Sequence, residues 1–276
     1  CCGRPARPRS PPKNVATGRI FAYQSNRRVT RLYFCMSPIK LNSIQVGLPK
    51  TIGGADPGNE WTTSFFKEPV PGPIWVGTTN LAGDGQADLR VHGGADKAIN
   101  LYPFEHYADW REELEIQELP KGAFGENLTT TGAVEADVCI GDIFEIGGST
   151  GALVQIAQRR QPCWKSSRRW NIKDLAARVE RTGRTGWYCR VLREGNIEPG
   201  TQLQLVVRPH PEWTVSLANE VMHQRQENFE VARRLAECPA LSQSWKHSLS
   251  RRALTKTYTD TAPRLRDPGT AGYSVS

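Results

Sequence analysis

Long apolar runs are missing from this sequence, and their absence limits the partners it can have. No segment of the 276 residues approaches the roughly 18 uninterrupted apolar residues that a membrane-spanning helix needs. The mean hydropathy is negative, at −0.52, although 38% of the residues are hydrophobic. A chain of this length can bury a substantial core in one large domain or two modest ones. We therefore predict a globular protein without a membrane partner.

Acidic residues are absent from the first 35 positions, and this absence accounts for the whole net charge of +8. Residues 1–35 hold eight of the 36 lysines and arginines, so the rest of the chain carries 28 basic and 28 acidic residues. A nucleic-acid-binding domain needs its basic excess on the folded surface, because neutralising phosphates supplies the affinity. We therefore expect no nucleic-acid partner.

The segment before Met36 also differs from the rest in composition. It does not begin with methionine, it is rich in proline and arginine, and a strand-like alternation of apolar residues starts just after it. We predict that residues 1–35 are a disordered extension outside the native fold. An arginine-rich mitochondrial transit peptide is the alternative, but such peptides are rich in serine, and this segment has only Ser10 and Ser25.

Paired cysteines are missing as well. The seven cysteines are an odd number and never occur in C-x-x-C spacing. This pattern indicates neither a disulfide framework nor a zinc site. It fits a reducing compartment, so we predict a cytoplasmic protein.

The apolar pattern divides the chain into a strand-rich part and a helical part. From Lys40 to about Pro209, short apolar alternations separated by Gly, Pro, Asn and Asp predict a β-barrel or sandwich, interrupted by helices near 105–119 and 172–179. After Pro211, apolar residues recur at three-to-four spacing and predict three short helices. The polar tail 257–276 is predicted to be disordered. The fold class is therefore α+β, mainly β.

Two glycine-containing segments are candidates for binding an anion or a heterocycle. In residues 91–98, a turn at Gly93 and Gly94 can present backbone N–H groups to a phosphate, beside His92 and Lys97. In Gly122–Leu128, Asn127 can offer amide groups to a heterocycle and Glu126 can orient a basic partner. The structural alternatives are a simple turn with a hydrogen-bonded histidine, and a bend above a buried phenylalanine.

The segment around Cys163 is the most informative. Cys163 lies between Arg160 and Lys165, in a positive field that favours the thiolate, which is the form that binds metals. Pro162 stiffens the loop just before it. Cys139 and Cys189, by contrast, lie in apolar, strand-like settings. The alternative for Cys163 is a small buried hydrophobic residue.

In this order, these segments resemble the MOSC family (molybdenum cofactor sulfurase C-terminal domain), and its YiiM-like branch, over about Met36–Leu254. The matching motifs are Asp88 with Val91–Ala98, Gly122–Leu128, Ile140-Gly141-Asp142 and Arg160-Gln161-Pro162-Cys163. One departure is Arg159, where the branch is expected to have a proline. The resemblance implies a β-barrel domain at 36–211 and a three-helix domain at 212–256.

The resemblance also implies a molybdenum cofactor and assigns roles to the candidate residues. Cys163 would be the metal ligand and a catalytic residue together with His92. The residues that would contact or orient the cofactor are Lys97, Gly93, Gly94, Gly125, Glu126, Asn127 and Arg160. Lys97 and Arg160 would neutralise its phosphate or fix its ring, and the glycines would let the backbone approach it.

The implied activity is the reduction of N-hydroxylated small molecules such as base analogues, a detoxification reaction with electrons from a separate reductase. Two alternatives stay open. Cys163 and His92 are also the pair that a cysteine hydrolase or transferase would use without a metal. A non-catalytic carrier of the cofactor or of sulfur would bind without turnover. A pyridoxal phosphate site at Lys97 ranks below both, because the sequence offers no partner for the pyridinium nitrogen.

Overall fold

The secondary structure is taken from a computed structural model, which describes residues 38–53, 60–258 and 260–268. The strands are β1 (Ile39–Val46), β2 (Lys50–Ile52), β3 (Trp61–Thr63), β4 (Glu68–Val70), β5 (Ile74–Val76), β6 (Ile99–Pro103), β7 (Leu128–Thr131), β8 (Ile143–Ile146), β9 (Ala152–Arg159), β10 (Trp187–Arg193), β11 (Gly195–Ile197) and β12 (Gln202–Val207). The α-helices are α1 (Leu89–His92), α2 (His106–Leu114), α3 (Trp164–Trp170), α4 (Leu175–Thr182), α5 (Val215–Asn219), α6 (Phe229–Ala236), α7 (Gln243–Thr255) and α8 (Ala262–Leu265). The prediction for residues 1–35 lies outside the described residues.

Seven strands close into the barrel that the sequence predicts. Their order around it is β12, β8, β9, β10, β6, β7 and β1, and β1 pairs back with β12, while β4 extends the sheet beyond β1. The pair β6 and β7 is parallel, and the other pairs in the barrel are antiparallel. A register shift in β1 between Leu41 and Ser43 lets Leu41 and Ile44, three residues apart, both be fully buried.

The three helices predicted after Pro211 are confirmed as α5, α6 and α7. Each begins at a polar side chain that accepts a hydrogen bond from the first turn, namely Thr214, Asn228 and Ser242. The sequence did not predict the π-helical turn Glu220–Gln224 after α5. Buried Arg252 of α7 donates to the carbonyls of Val221 and Met222 in this turn, at 2.8 and 2.7 Å, and so ties α7 to it.

The helical domain is attached to the barrel by hydrogen bonds along β9. The Ser242 N–H donates to the Ala157 carbonyl at 2.9 Å, and the Ser244 hydroxyl donates to Gln158 Oε1 at 3.2 Å. The start of α7 is therefore fixed against the strand that leads to Cys163.

The C-terminal part contains a short helix within the segment that is predicted to be disordered. Within 257–276, where the sequence predicts disorder, the structure describes the short helix α8, whose Arg264 pairs with Glu180 of α4. Among the described residues, no helix has the length and apolar character needed to cross a membrane.

Candidate functional site

Cys163 lies where two cavities adjoin at one end of the barrel. The smaller cavity has a volume of about 80 Å³ and the larger about 920 Å³. Five residues line both cavities: His92, Lys97, Cys163, Lys165 and Tyr188. Of the four cysteines that the structure describes, Cys163 is the one that borders either cavity.

The backbone holds Cys163 between β9 and α3. The Arg160 N–H donates to the Gly186 carbonyl at 3.0 Å, which anchors the loop after β9. Cys163 is the N-cap of α3, and its carbonyl accepts from the N–H and the hydroxyl of Ser166, at 3.1 and 2.9 Å. The sequence predicts a loop at Cys163 and does not predict α3 after it. In the structure, Cys163 has an extended backbone and lies at the end of that loop. Its side chain is held in one place beside the cavities.

Basic side chains dominate the smaller cavity. Arg160, Lys97, Lys165 and Lys67 line it, and Asp84 is the one carboxylate among its described lining residues. Asp84 forms an ion pair with Lys67, and both side chains are almost completely buried. No other carboxylate among the described lining residues can pair with Arg160, Lys97 or Lys165. This basic lining suits an anionic ligand.

His92, at the end of α1, shares this basic surrounding. Burial and the nearby Arg160, Lys165 and Lys97 lower the pKa of His92 to about 4. The imidazole is therefore neutral near pH 7 and carries one N–H donor and one acceptor nitrogen. In this state His92 can hydrogen-bond to a ligand, but it is not a cationic acid unless a bound anion raises its pKa.

We expect His92 to titrate near pH 4 in the protein without a bound anion. Because this pKa lies below the ordinary value of 6.5, the unfolded chain binds the proton first, and stability is lost as the pH falls from about 6.5 towards 4. NMR titration of the His92 ring and urea unfolding at pH 5 and pH 8 measure the two effects. In His92→Asn, the loss of stability between pH 8 and pH 5 should be smaller than in the wild type. A His92 pKa of 6 or more would contradict this expectation.

Arg160 and Asn100 line the smaller cavity, and each has a buried polar atom without a partner. Arg160 is buried and stacks on Phe65, with 5.5 Å between its guanidinium carbon and the ring centre. Its Nη1 atom and the Oδ1 atom of Asn100 are buried without a hydrogen-bond partner in the described part of the chain. One donor and one acceptor in this part of the cavity wall are thus left unsatisfied by the described protein atoms. Asn100 gives no signal in the sequence, because an asparagine inside an apolar strand carries no motif.

Glu126 was predicted to orient the cofactor, but the structure does not bring it to either cavity. Its carboxylate is fully buried and accepts from the Tyr107 hydroxyl, from the N–H groups of Gly122 and Phe124 at 2.8 and 3.1 Å, and from the Thr129 hydroxyl at 3.0 Å. These bonds consume its acceptor capacity. Glu126 therefore stabilises the turn before β7.

Asn127 lines the smaller cavity, but its amide is occupied by the protein. Its Oδ1 accepts from the Asn100 N–H at 3.1 Å, and its Nδ2 donates to Asp84 at 2.9 Å and to the Gln45 carbonyl at 3.3 Å. Asn127 therefore joins β6, β1 and the Asp84 loop. The prediction that it offers its amide to a heterocycle finds no support in these contacts.

The three predicted glycines differ in position. Gly125 lines the smaller cavity at φ +76°, and a Cβ there would come within 3.0 Å of the Phe65 ring. Gly93 and Gly94 line neither cavity. A Cβ on Gly93 would lie 2.8 Å from the Leu89 side chain and 3.2 Å from its backbone, so a larger residue would crowd the start of α1.

Asp84 and Lys67 are site residues that the sequence analysis missed. Asp84 accepts from the Gly47 N–H at 2.8 Å and from Asn127, and it pairs with Lys67. It therefore holds together three segments of the cavity wall. The turn residues Gly83 and Gly85 around Asp84 are the signal that could have pointed to it.

These residues fit an anionic cofactor that brings most of its own metal ligands. No group of three or more His, Cys, Asp or Glu side chains in the described ranges could hold a bare metal ion. A thiol at the cavity wall, a basic lining and unpaired polar atoms are present instead. A soft metal already held by sulfur atoms of a cofactor would accept one more sulfur from Cys163.

Comparisons with known protein families give two matches. Residues 88–204 match the MOSC domain, and residues 213–253 match the domain described as "YiiM-like, 3-alpha helix domain". The first match includes the candidate site residues from His92 to Cys163. The second covers the helices that follow the barrel.

Several curated proteins are similar along most of the chain. The uncharacterized protein YflK of Bacillus subtilis is 40% identical over 210 residues, which are 76% of this chain and 92% of YflK. Protein YiiM of Escherichia coli is 36% identical over 205 residues, 74% of this chain and 90% of YiiM. A protein named "Reductase" from Gibberella moniliformis is 38% identical over 186 residues, 67% of this chain but only 32% of that longer protein.

Solved structures are also similar to this chain along most of its length. YiiM from Geobacillus stearothermophilus is 38% identical with a TM-score of 0.65, over 78% of this chain and all of that one. YiiM from Escherichia coli is 31% identical with a TM-score of 0.67, over 83% of this chain and 98% of that one. The barrel followed by helices is thus shared with both.

Proposed function

This chain belongs to the MOSC family, in its YiiM-like branch, and on that premise we propose that it is a molybdenum-cofactor-dependent oxidoreductase that reduces N-hydroxylated compounds. The observation that carries the proposal is the position of Cys163. Its thiol borders both cavities, beside a basic lining and a neutral histidine. A metal bound by Cys163 would therefore lie where the two cavities adjoin and would be accessible from the larger one.

In this proposal the residues of the smaller cavity hold the cofactor. Cys163 supplies a sulfur ligand, and Arg160, Lys97 and Lys165 bind anionic groups such as the phosphate. Neutral His92 donates its N–H to a ligand oxygen. When bound, the cofactor supplies the two-electron redox chemistry that breaks the N–O bond of the substrate.

The larger cavity is proposed to receive the substrate. Its aromatic side chains are Trp61, Trp164, Tyr188 and Trp245. The rings of Trp61 and Trp164 lie 5.6 Å apart between centres. Such a wall suits a planar base carrying an N-hydroxyl group. In the balanced reaction, R–NHOH takes up two electrons and two protons and gives R–NH₂ and water, with the electrons from a separate reductase. The name "Reductase" of the fungal relative supports this class of reaction.

We expect protein from a host that makes molybdenum cofactor to contain about one molybdenum and one pterin per chain. The physical reason is that one thiol and one basic lining offer a single site. Metal analysis and pterin fluorescence after acid release measure both. Protein from a host that cannot make the cofactor is the control and should contain neither.

Two results would count against the proposal. Protein without molybdenum or pterin from the competent host would remove it, and hydrolytic activity in such protein would favour a cysteine hydrolase. Full cofactor content without any reduction of N-hydroxylated substrates would favour the carrier function.

A further inference from the structure

The C-terminal segment 260–268 lies against the Cys163 loop, outside the residues that match either family. It contributes Asp260, Thr261, Pro263, Arg264 and Pro268 to the lining of the larger cavity. We propose that this segment is a wall of the active site, and that Arg264 is a positioning residue that holds the Cys163 loop in place. The part of this inference that concerns turnover rests on the proposed function.

Arg264 makes two hydrogen bonds with one guanidinium group. Its Nη1 donates to the carbonyl of Pro162, and its Nη2 donates to the carboxylate of Glu180 in α4. The Pro162 carbonyl belongs to the peptide unit that ends at the Cys163 nitrogen. A planar guanidinium group that donates two hydrogen bonds restrains the orientation of its two acceptors as well as the distance between them. Arg264 therefore restrains the peptide immediately before the thiol.

Glu180 is itself held from the barrel side. Its carboxylate accepts from Arg159 at 3.1 Å, and Arg159 is completely buried at the end of β9. Glu180 is thus a fixed point to which Arg264 attaches the C-terminal segment. Without Arg264, Glu180 would still be paired with Arg159, so the loss of Arg264 leaves no bare buried carboxylate. The fold should therefore tolerate a substitution of Arg264.

A second contact attaches the same segment after Cys163. Asp267 lies 3.6 Å from Arg168, which is in α3. The segment therefore contacts the chain on both sides of Cys163, at the loop before it and at the helix after it. These two attachments hold the segment in the wall of the larger cavity beside Cys163.

Near Glu180, the wall continues into the helical domain. Nδ1 of His223, in the π-helical turn, lies 4.0 Å from Glu180. His223 and Trp245 both line the larger cavity. The barrel, the helical domain and the C-terminal segment therefore meet around one carboxylate, and Arg264 is the contribution of the C-terminal segment. Loss of Arg264 should free the wall and the Cys163 loop together.

The test measures how fast Cys163 reacts with iodoacetamide in the full-length chain, produced in a host that cannot make the cofactor. Peptide mass spectrometry separates Cys163 from the other cysteines. Arg264→Ala should raise the alkylation rate at Cys163 at least fivefold, because the wall opens and the loop is released. Arg264→Lys should lie between this variant and the wild type, since lysine cannot bind both acceptors with a fork. The matched control is Arg266→Ala, because Arg266 is exposed two residues away, and it should stay within twofold of the wild type.

Melting temperatures of the same proteins show whether the fold persists, and a truncation adds an independent measurement. A chain ending after Tyr258 should repeat the Arg264→Ala result, whereas a chain ending after Pro268 should behave as the wild type. Equal alkylation rates in folded Arg264→Ala and Arg266→Ala would overturn the inference.

Cofactor-loaded variants test the consequence for turnover. Arg264→Ala should lower kcat for a hydroxylaminopurine at least tenfold, because the metal ligand is displaced, and it should also raise KM, because the released segment lines the cavity proposed for the substrate. If the wild type itself reduces no N-hydroxylated substrate, the proposed function fails, and the alkylation rates still decide whether Arg264 positions Cys163. An unchanged kcat in loaded Arg264→Ala would overturn the role in turnover.

Discussion

Cys163→Ser should abolish the reduction of N-hydroxylated substrates while the fold persists. Serine offers a harder oxygen that binds a soft, sulfur-ligated metal poorly. Since changing even an outer partner of a metal ligand costs 10- to 100-fold in activity, we expect kcat to fall by at least about 100-fold on loss of the ligand itself. Anaerobic reduction of a hydroxylaminopurine or an amidoxime with an artificial electron donor measures this loss.

Cys139→Ser and Cys189→Ser are the controls and should retain most of the activity. Both thiols are buried away from the two cavities. Burial raises the pKa of Cys139 to about 11 and raises that of Cys189 further still. Thermal melting of each variant separates lost chemistry from lost stability. Full activity in well-folded Cys163→Ser would eliminate the thiolate-ligand mechanism.

Asp84→Ala should lower the free energy of unfolding by about 3 to 5 kcal/mol, the usual cost of removing one partner from a buried ion pair. Lys67 would lose its counter-charge, and the Gly47 N–H and the Asn127 amide would each lose an acceptor. Urea unfolding followed by circular dichroism measures the change. Because Lys67 and Asn127 also line the smaller cavity, cofactor content should fall in the same variant.

The pH dependence of this loss identifies its cause. Burial already lowers the pKa of Lys67, although Asp84 opposes that effect. Without Asp84, Lys67 should release its proton more readily, so the destabilisation should be smaller at pH 9 than at pH 7. Asp109→Ala is the control, because this side chain is 64% exposed, and its effect should be well under 1 kcal/mol. A loss no larger in Asp84→Ala than in Asp109→Ala would refute the argument.

A strand-rich barrel or sandwich and the three helices could be predicted from the apolar periods, and the family resemblance implied the barrel. The alternation of Gln and Leu at the start of β12 and the three-to-four spacing in α5 to α7 are local properties of the sequence. The loop that carries Cys163 and its basic surroundings were also predictable, because the charged neighbours and Pro162 are adjacent to Cys163 in the chain. The structure adds that Arg160 and Lys97 line the same cavity.

The remaining features depend on contacts between distant residues, which a single sequence does not display. Lys67 and Asp84 are 17 residues apart, and nothing in the local pattern of either indicates the other. The contacts of Glu126 are not evident from the sequence for a related reason. A glutamate in a glycine-containing turn has the same local pattern whether it faces a ligand or accepts hydrogen bonds from its own turn. Only the positions of Tyr107 and Thr129 distinguish the two cases.

The assembly of the larger cavity has a consequence for the time at which the site around Cys163 is complete. Cys163 is near the middle of the chain, but one wall of its cavity comes from residues 260–268. A ribosome would therefore have to synthesise about a hundred further residues after Cys163, and release them from its exit tunnel, before this wall could form. During that interval the thiol would be more open to oxidants and stray metal ions. The complete cavity beside Cys163 would therefore form only after residues 260–268 have left the ribosome.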